Sequence, residues 1–182
     1  MEFSPESMRS AFEQRVDELI QRIVEAKKVA LSREEVENVL DEQEKLEEDR
    51  EARQLSNKEY AEKMHAIENS PGIVRFDTIM EFMACLRKMG FSREYVEEVA
   101  AHENDHLNKA ESLGLRGHYQ LFFVKERKGK KIYTGMFPFA VYFFPAGISS
   151  EKRRELDLQI TGAPKHLSDH DKRIIDTLRK QD

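Results

Sequence analysis

At 182 residues and 21.3 kDa the chain has room for one domain with an appendage or for two small domains, and its 35 acidic and 30 basic side chains give a formal net charge of -5. Charged residues make up 36% of the chain, against about 25% in an average globular protein, so many helix faces must be solvated. That balance argues against a strongly basic nucleic-acid binder, and a single cysteine, Cys85, excludes an intrachain disulfide scaffold and suits a reducing compartment. The run Met1-Glu2-Phe3-Ser4-Pro5-Glu6 has neither a basic n-region nor an apolar h-region, so a cytoplasmic location is expected.

Charge divides the chain at Pro71-Gly72: residues 1–70 hold 19 acids and 11 bases, residues 71–182 hold 16 acids and 19 bases. The first region reads as acidic and helical, the second as a compact α+β domain. Met8, Phe12, Val16, Leu19, Ile20, Ile23 and Val24 recur at three- and four-residue spacing and predict one amphipathic helix. Ser32 and Glu35 have capping-box spacing and open a second helix carrying Val36, Val39 and Leu40; Ser56 and Glu59 repeat the signal before a third with Tyr60, Met64 and Ile67. The stretch 34–51 contains ten acids and two bases, which reads as a solvated face or a projecting arm able to bind a partner. The stripe on the first helix offers a surface for self-association.

Residues 73–76 are apolar enough for a short strand, and Asp77 is placed to cap a helix with Ile79, Met80, Phe82, Met83, Leu86 and Met89 on its buried side, stopped by Gly90. Ser92 opens a helix expected to run to about Leu113. A β-hairpin follows, 119–127 and 131–144, around Lys128-Gly129-Lys130, and two late helices start near Ser149 and Ser168. The stretch 132–150 is nineteen residues without a charge, long enough for a membrane span. Pro138 and Pro145 interrupt it and its residues are β-branched and aromatic, so it reads as a strand and no membrane partner is expected.

One constellation carries chemistry. His102-Glu103-Asn104-Asp105-His106 is an HExxH sequence inside a predicted helix. Residues four apart stack on one helix face, so both imidazoles reach one divalent ion, and the glutamate between them is placed to take a proton from metal-bound water. The flanking apolar residues Val96, Val99, Ala100, Leu107 and Ala110 put Glu103 inside the buried stripe, where a carboxylate is costly without a partner.

The ten residues from Val99 to Asn108 resemble the active-site helix of zincin metallopeptidases. That resemblance implies one zinc ion per chain, with His102 and His106 as ligands and Glu103 as the general base of a small peptidase. The run His-Glu-x-Asp-His-Leu is also similar to the active-site helix of peptide deformylases, but the glycine-rich strand and the Glu-Gly-Cys-Leu-Ser segment of that family are missing. For the third ligand, His118 follows Gly114 and Gly117, which permit a reversal toward the metal. Glu155, Glu111, Glu126, Glu151 and Asp157 are alternatives. His166 and His170 straddle a helix start and read as surface residues.

The expected architecture is therefore α+β and mostly helical, with an antiparallel hairpin beside the HExxH helix. The expected function is that of a zinc-dependent hydrolase acting on a peptide or protein. The competing reading is a non-catalytic helical interaction protein in which the HExxH helix is structural. Lys125, Arg127, Lys128, Lys130 and Lys131 crowd the hairpin turn; with the chain acidic overall, they read as solubilising residues, and no nucleic-acid partner is expected.

Overall fold

The computed structural model describes residues 5–180. Met1–Ser4, at the start of the run lacking signal-peptide features, and the side chain of Met8 lie outside the described residues. In chain order the elements are α1 (Pro5–Lys28), α2 (Arg33–Glu51), α3 (Asn57–Glu68), β1 (Ile73–Phe76), α4 (Ile79–Lys88), α5 (Arg93–Ser112), β2 (Arg116–Lys128), β3 (Lys131–Phe143), α6 (Ser150–Thr161) and α7 (Asp169–Arg179). The fold is α+β and mostly helical, and the β2–β3 hairpin packs against α5.

The serines do what their spacing predicts. Ser32, Ser56 and Ser168 each close a full capping box, with Glu35, Glu59 and Asp171 as the returning acids. The cap of α4 is Thr78, not Asp77: its hydroxyl accepts from the Glu81 N–H while the Glu81 carboxylate reaches back to the Asp77 N–H. Among the described residues no helix is long and apolar enough to cross a membrane.

The sheet is antiparallel in the order β1-β2-β3, so β3 is an edge strand. Side chains alternate between its faces. Val74, Phe76, Tyr119, Leu121, Phe123 and Ala140 meet α1, α4 and α5 in the main core, with Val16, Leu19, Ile23, Phe82, Leu86, Val96 and Leu107 opposite them. Ile73, Phe122 and Val124 face the other way, toward Val36 on α2. The main core thus joins α1 to β1, α4, α5 and the hairpin, all of which follow Pro71-Gly72, so the change in charge is not a division of packing. The α1 stripe is largely consumed by this core, leaving Phe12 and Val24 exposed.

The acidic stretch 34–51 does not project; α2 is docked. Glu47 pairs with Arg116, Glu44 with Arg153, and Glu51 accepts from the Ala146 N–H. At the centre of the contact Gln43 and Gln120, both with 0% exposure, exchange side-chain amide hydrogen bonds of 3.3 and 3.0 Å. A buried amide left unpaired costs about 1–3 kcal/mol, so this reciprocal pair fixes where α2 sits on the sheet.

Candidate metal centre

Helix α5 presents His102 and His106 one turn apart, and their rings meet edge to face. Each ring is oriented by the segment that crosses the helix from α6 to α7. The Nδ1–H of His106 donates to the Ile160 carbonyl at 2.9 Å, and that of His102 to the His166 carbonyl at 3.2 Å. A carbonyl only accepts, so both Nδ1 atoms carry the proton, and in the neutral ring both Nε2 atoms carry lone pairs. Those two lone pairs converge, with the Nε2 atoms 3.2 Å apart.

Asp171 completes the cluster. Its Oδ2 lies 3.1 Å from His102 Nε2, and its Oδ1 lies 3.4 Å from His106 Nε2. The capping box of α7 fixes this carboxylate, because Ser168 donates to Oδ2 through both its backbone N–H and its hydroxyl. Three acceptor groups thus face one point, and a cation must sit among them: a second proton on a ring, or a metal ion. The separations fit a metal. Zinc bonds of about 2.0–2.2 Å in a tetrahedral shell put neighbouring donor atoms roughly 3.3–3.5 Å apart; the two Nε2 atoms lie near that spacing, a different Asp171 oxygen is nearest each ring, and one donor atom from each of the three residues lies within 4.8 Å of the others. Backbone carbonyls on the distal ring nitrogens are the usual outer-shell support of histidine ligands.

Without a metal, the same geometry favours protonated rings. The Asp171 hydrogen bond lifts His102 above the ordinary histidine pKa. For His106, burial alone works downward, but the Asp171 and Ile160 contacts outweigh it and the net shift is upward. Burial opposes ionisation of Asp171, yet the hydrogen bonds from His102, His106 and Ser168 hold its carboxyl well below the usual range.

Glu103 lies inward, on the sheet side of the helix. Its Oε2 accepts from the Ala140 N–H at 2.7 Å. That N–H points out from β3, away from β2, because Ala140 sits opposite Tyr119 at a non-hydrogen-bonded position of the ladder. Pro138, two residues earlier, occupies the same kind of outward position, where a missing N–H breaks no ladder bond. Among the described residues nothing hydrogen-bonds Oε1 of Glu103. Burial pushes this carboxyl up to about 7, against the pull of His106, the Ala140 N–H and His102.

His118 is not part of the cluster. It precedes Tyr119, whose ring stacks on Phe82 and whose hydroxyl donates to Asn104 on α5; by strand alternation the imidazole lies on the opposite face of the sheet from α5. There it is 6% exposed and against Phe143, with Nε2 buried and unpartnered. Glycines do precede it, but the chain enters β2 at Arg116, and the two-residue period then decides which way the ring faces.

The other carboxylates are also elsewhere. Glu126 binds Tyr133 and Arg33, Glu155 binds Lys152 and Gln159, and Asp157 accepts from Tyr142, while Glu111 and Glu151 are exposed. The rings of His166 and His170 are at the surface. Cys85 is fully buried, which pushes its thiol up to about 12 and makes it a core residue. Asp171 was the residue that sequence reasoning missed. Its one signal was the Ser168-x-x-Asp171 capping spacing, which announces a helix start and says nothing about what that helix packs against.

No family model, curated protein or solved structure matches this chain.

Proposed function

We propose that the protein is a zinc-dependent hydrolase, with His102, His106 and Asp171 as the metal ligands, Glu103 as the general base, and peptides as the substrate class. The observation that supports it best is the convergence of two Nε2 lone pairs and a carboxylate, with both imidazoles held in the metal-binding tautomer by backbone carbonyls. A bound zinc would polarise a carbonyl and acidify water. Glu103 would hold and return the proton at Oε1, because Oε2 is engaged by Ala140. Burial raises this carboxyl in the metal-free protein and so favours a group able to take up and release a proton. Access is from the His102 side, whose side chain is 20% exposed against 9% for His106 and 7% for Asp171.

A second reading is a structural metal site that ties α7 to α5. The burial of His106 and Asp171 and the bond from Glu103 to the β3 edge favour it. The test is metal content by mass spectrometry together with a peptide-hydrolysis screen. About one zinc per chain is expected, lost in His102→Ala/His106→Ala and weakened at least tenfold in Asp171→Asn. If Glu103→Gln keeps the metal and abolishes turnover, the protein is the enzyme. Zinc bound with no turnover in wild type leaves the structural reading. No zinc bound on titration overturns both.

A further inference from the structure

The hairpin runs past the body of the protein. The last cover on β2 is the parallel bridge from Leu31 to Val124, and beyond it residues 125–134 are exposed, apart from half-buried Glu126. At about 3.3 Å per residue this overhang reaches roughly 13–16 Å. It carries Lys125, Arg127, Lys128, Lys130 and Lys131 against one acid, Glu126, which is already bound by Tyr133 and Arg33.

None of those five cations makes an ion pair among the described residues. Elsewhere they are commonly paired: Arg15, Arg75, Lys88, Arg116 and Arg153 all have carboxylate partners. In a chain with an excess of acids, five neighbouring cations outside any ion pair, of which Lys125 alone has a carboxylate, Glu35, within electrostatic reach, mark a surface shaped for an external anion. The acidity that argued against such a partner is held largely along the docked α2, which has ten acids against three bases. Charges separated by more than a Debye length of about 8 Å are screened at physiological salt.

The register says which anion. Strand alternation puts Lys125 and Arg127 on one face of the ribbon and Lys128 and Lys131 on the other, with Lys130 at the turn. A ribbon charged on both faces suits a channel with anionic walls on two sides, not a single flat acidic patch. Its leading residues are Lys128, Gly129, Lys130 and Lys131, while Ile132, 72% exposed, and Tyr133, 46% exposed, lie behind them. Insertion into a bilayer would bury the lysines first, so a membrane fits poorly.

We propose that the β2–β3 tip is a nucleic-acid-binding ribbon that enters the major groove of duplex DNA, with its lysines and Arg127 on the phosphates. Two strands about 4.8 Å apart fit a groove roughly 12 Å wide. The major groove of A-form RNA is too narrow to admit them. This inference is independent of the metal centre and holds whichever reading of that centre is right.

The experiment is fluorescence anisotropy of a labelled DNA duplex titrated with the full chain, with and without EDTA. Three to four phosphate contacts predict a loss of affinity of roughly 40- to 150-fold between about 50 and 200 mM salt. Lys128→Gln/Lys130→Gln/Lys131→Gln is expected to weaken low-salt binding at least tenfold and flatten the salt slope, with unchanged circular dichroism. Lys125→Gln/Arg127→Gln, on the other part of the tip, is the independent second variant. Lys58→Gln/Lys63→Gln on α3 is expected to bind like wild type. The proposal is overturned by no binding at low salt or by binding that neither tip variant weakens. Tighter binding to duplex RNA, to phosphatidylserine vesicles or to an acidic peptide than to DNA overturns it as well.

Discussion

Acidification is expected to unfold this protein partly through one residue outside the His102–His106–Asp171 cluster. His118 is buried with Nε2 unpartnered, and burial, aided by the charge of Arg75, lowers its pKa to about 3. In the unfolded chain the imidazole titrates near 6.5. Between those values the unfolded state binds the extra proton and the native state does not, so stability falls as pH falls through this window. The slope approaches about 1.4 kcal/mol per pH unit, and from pH 7 to pH 4 the loss from this one group integrates to roughly 3 kcal/mol. Against a total of about 5–15 kcal/mol for a typical domain, that is a large fraction.

The assay is urea denaturation at several pH values, in EDTA, for wild type and His118→Gln. The variant has no titrating group at this position, and groups elsewhere cancel in the comparison when the two sites are independent. The stability difference should move in favour of the variant by about 2–3 kcal/mol between pH 7 and pH 4. A difference that stays constant across that range would refute the argument and mean that His118 finds a partner for its proton in the folded state.

If zinc occupies the proposed site, removing it should loosen the C-terminal helix first, because among the described residues of α7 only Asp171 and Ile175 are buried. Hydrogen exchange of residues 160–179 should be at least tenfold faster in EDTA than in zinc, and Asp171→Asn should exchange at the fast rate in both. Glu103→Ala in the metal-free protein leaves the Ala140 N–H unpaired and should cost about 1–3 kcal/mol, whereas Glu103→Gln, whose amide oxygen still accepts, should cost less; equal losses in thermal melts would show that the bond contributes nothing. Gly117→Ala should destabilise by about 1–3 kcal/mol or more, because a Cβ there meets the Val141 carbonyl and lies 2.5 Å from Leu107 Cδ1. An unchanged melting temperature would mean that β2 and α5 can separate at that point.

Local chemistry was legible in the sequence because it acts over three or four residues. The serine caps, the apolar stripes, the glycine stops and the i,i+4 histidine pair on α5 all follow from helix geometry, and so does the hairpin from its β-branched and aromatic strands. The sequence also placed Glu103 in the buried stripe, though not its bond to the edge of β3, which requires knowing that β3 has no neighbour on that side.

What only the tertiary structure decided is what meets what across distance. Asp171 lies 65 residues after His106 in sequence and meets it only because α6 and α7 fold back over α5. His118 is turned away because β2 begins at Arg116, and the period of two then puts it on the face opposite α5. The acids of 34–51 look like a free arm in one dimension, and in three they find Arg116, Arg153 and the Ala146 N–H. Charge counts along a chain cannot distinguish those cases, because pairing depends on separations in space that the packing of the apolar residues sets.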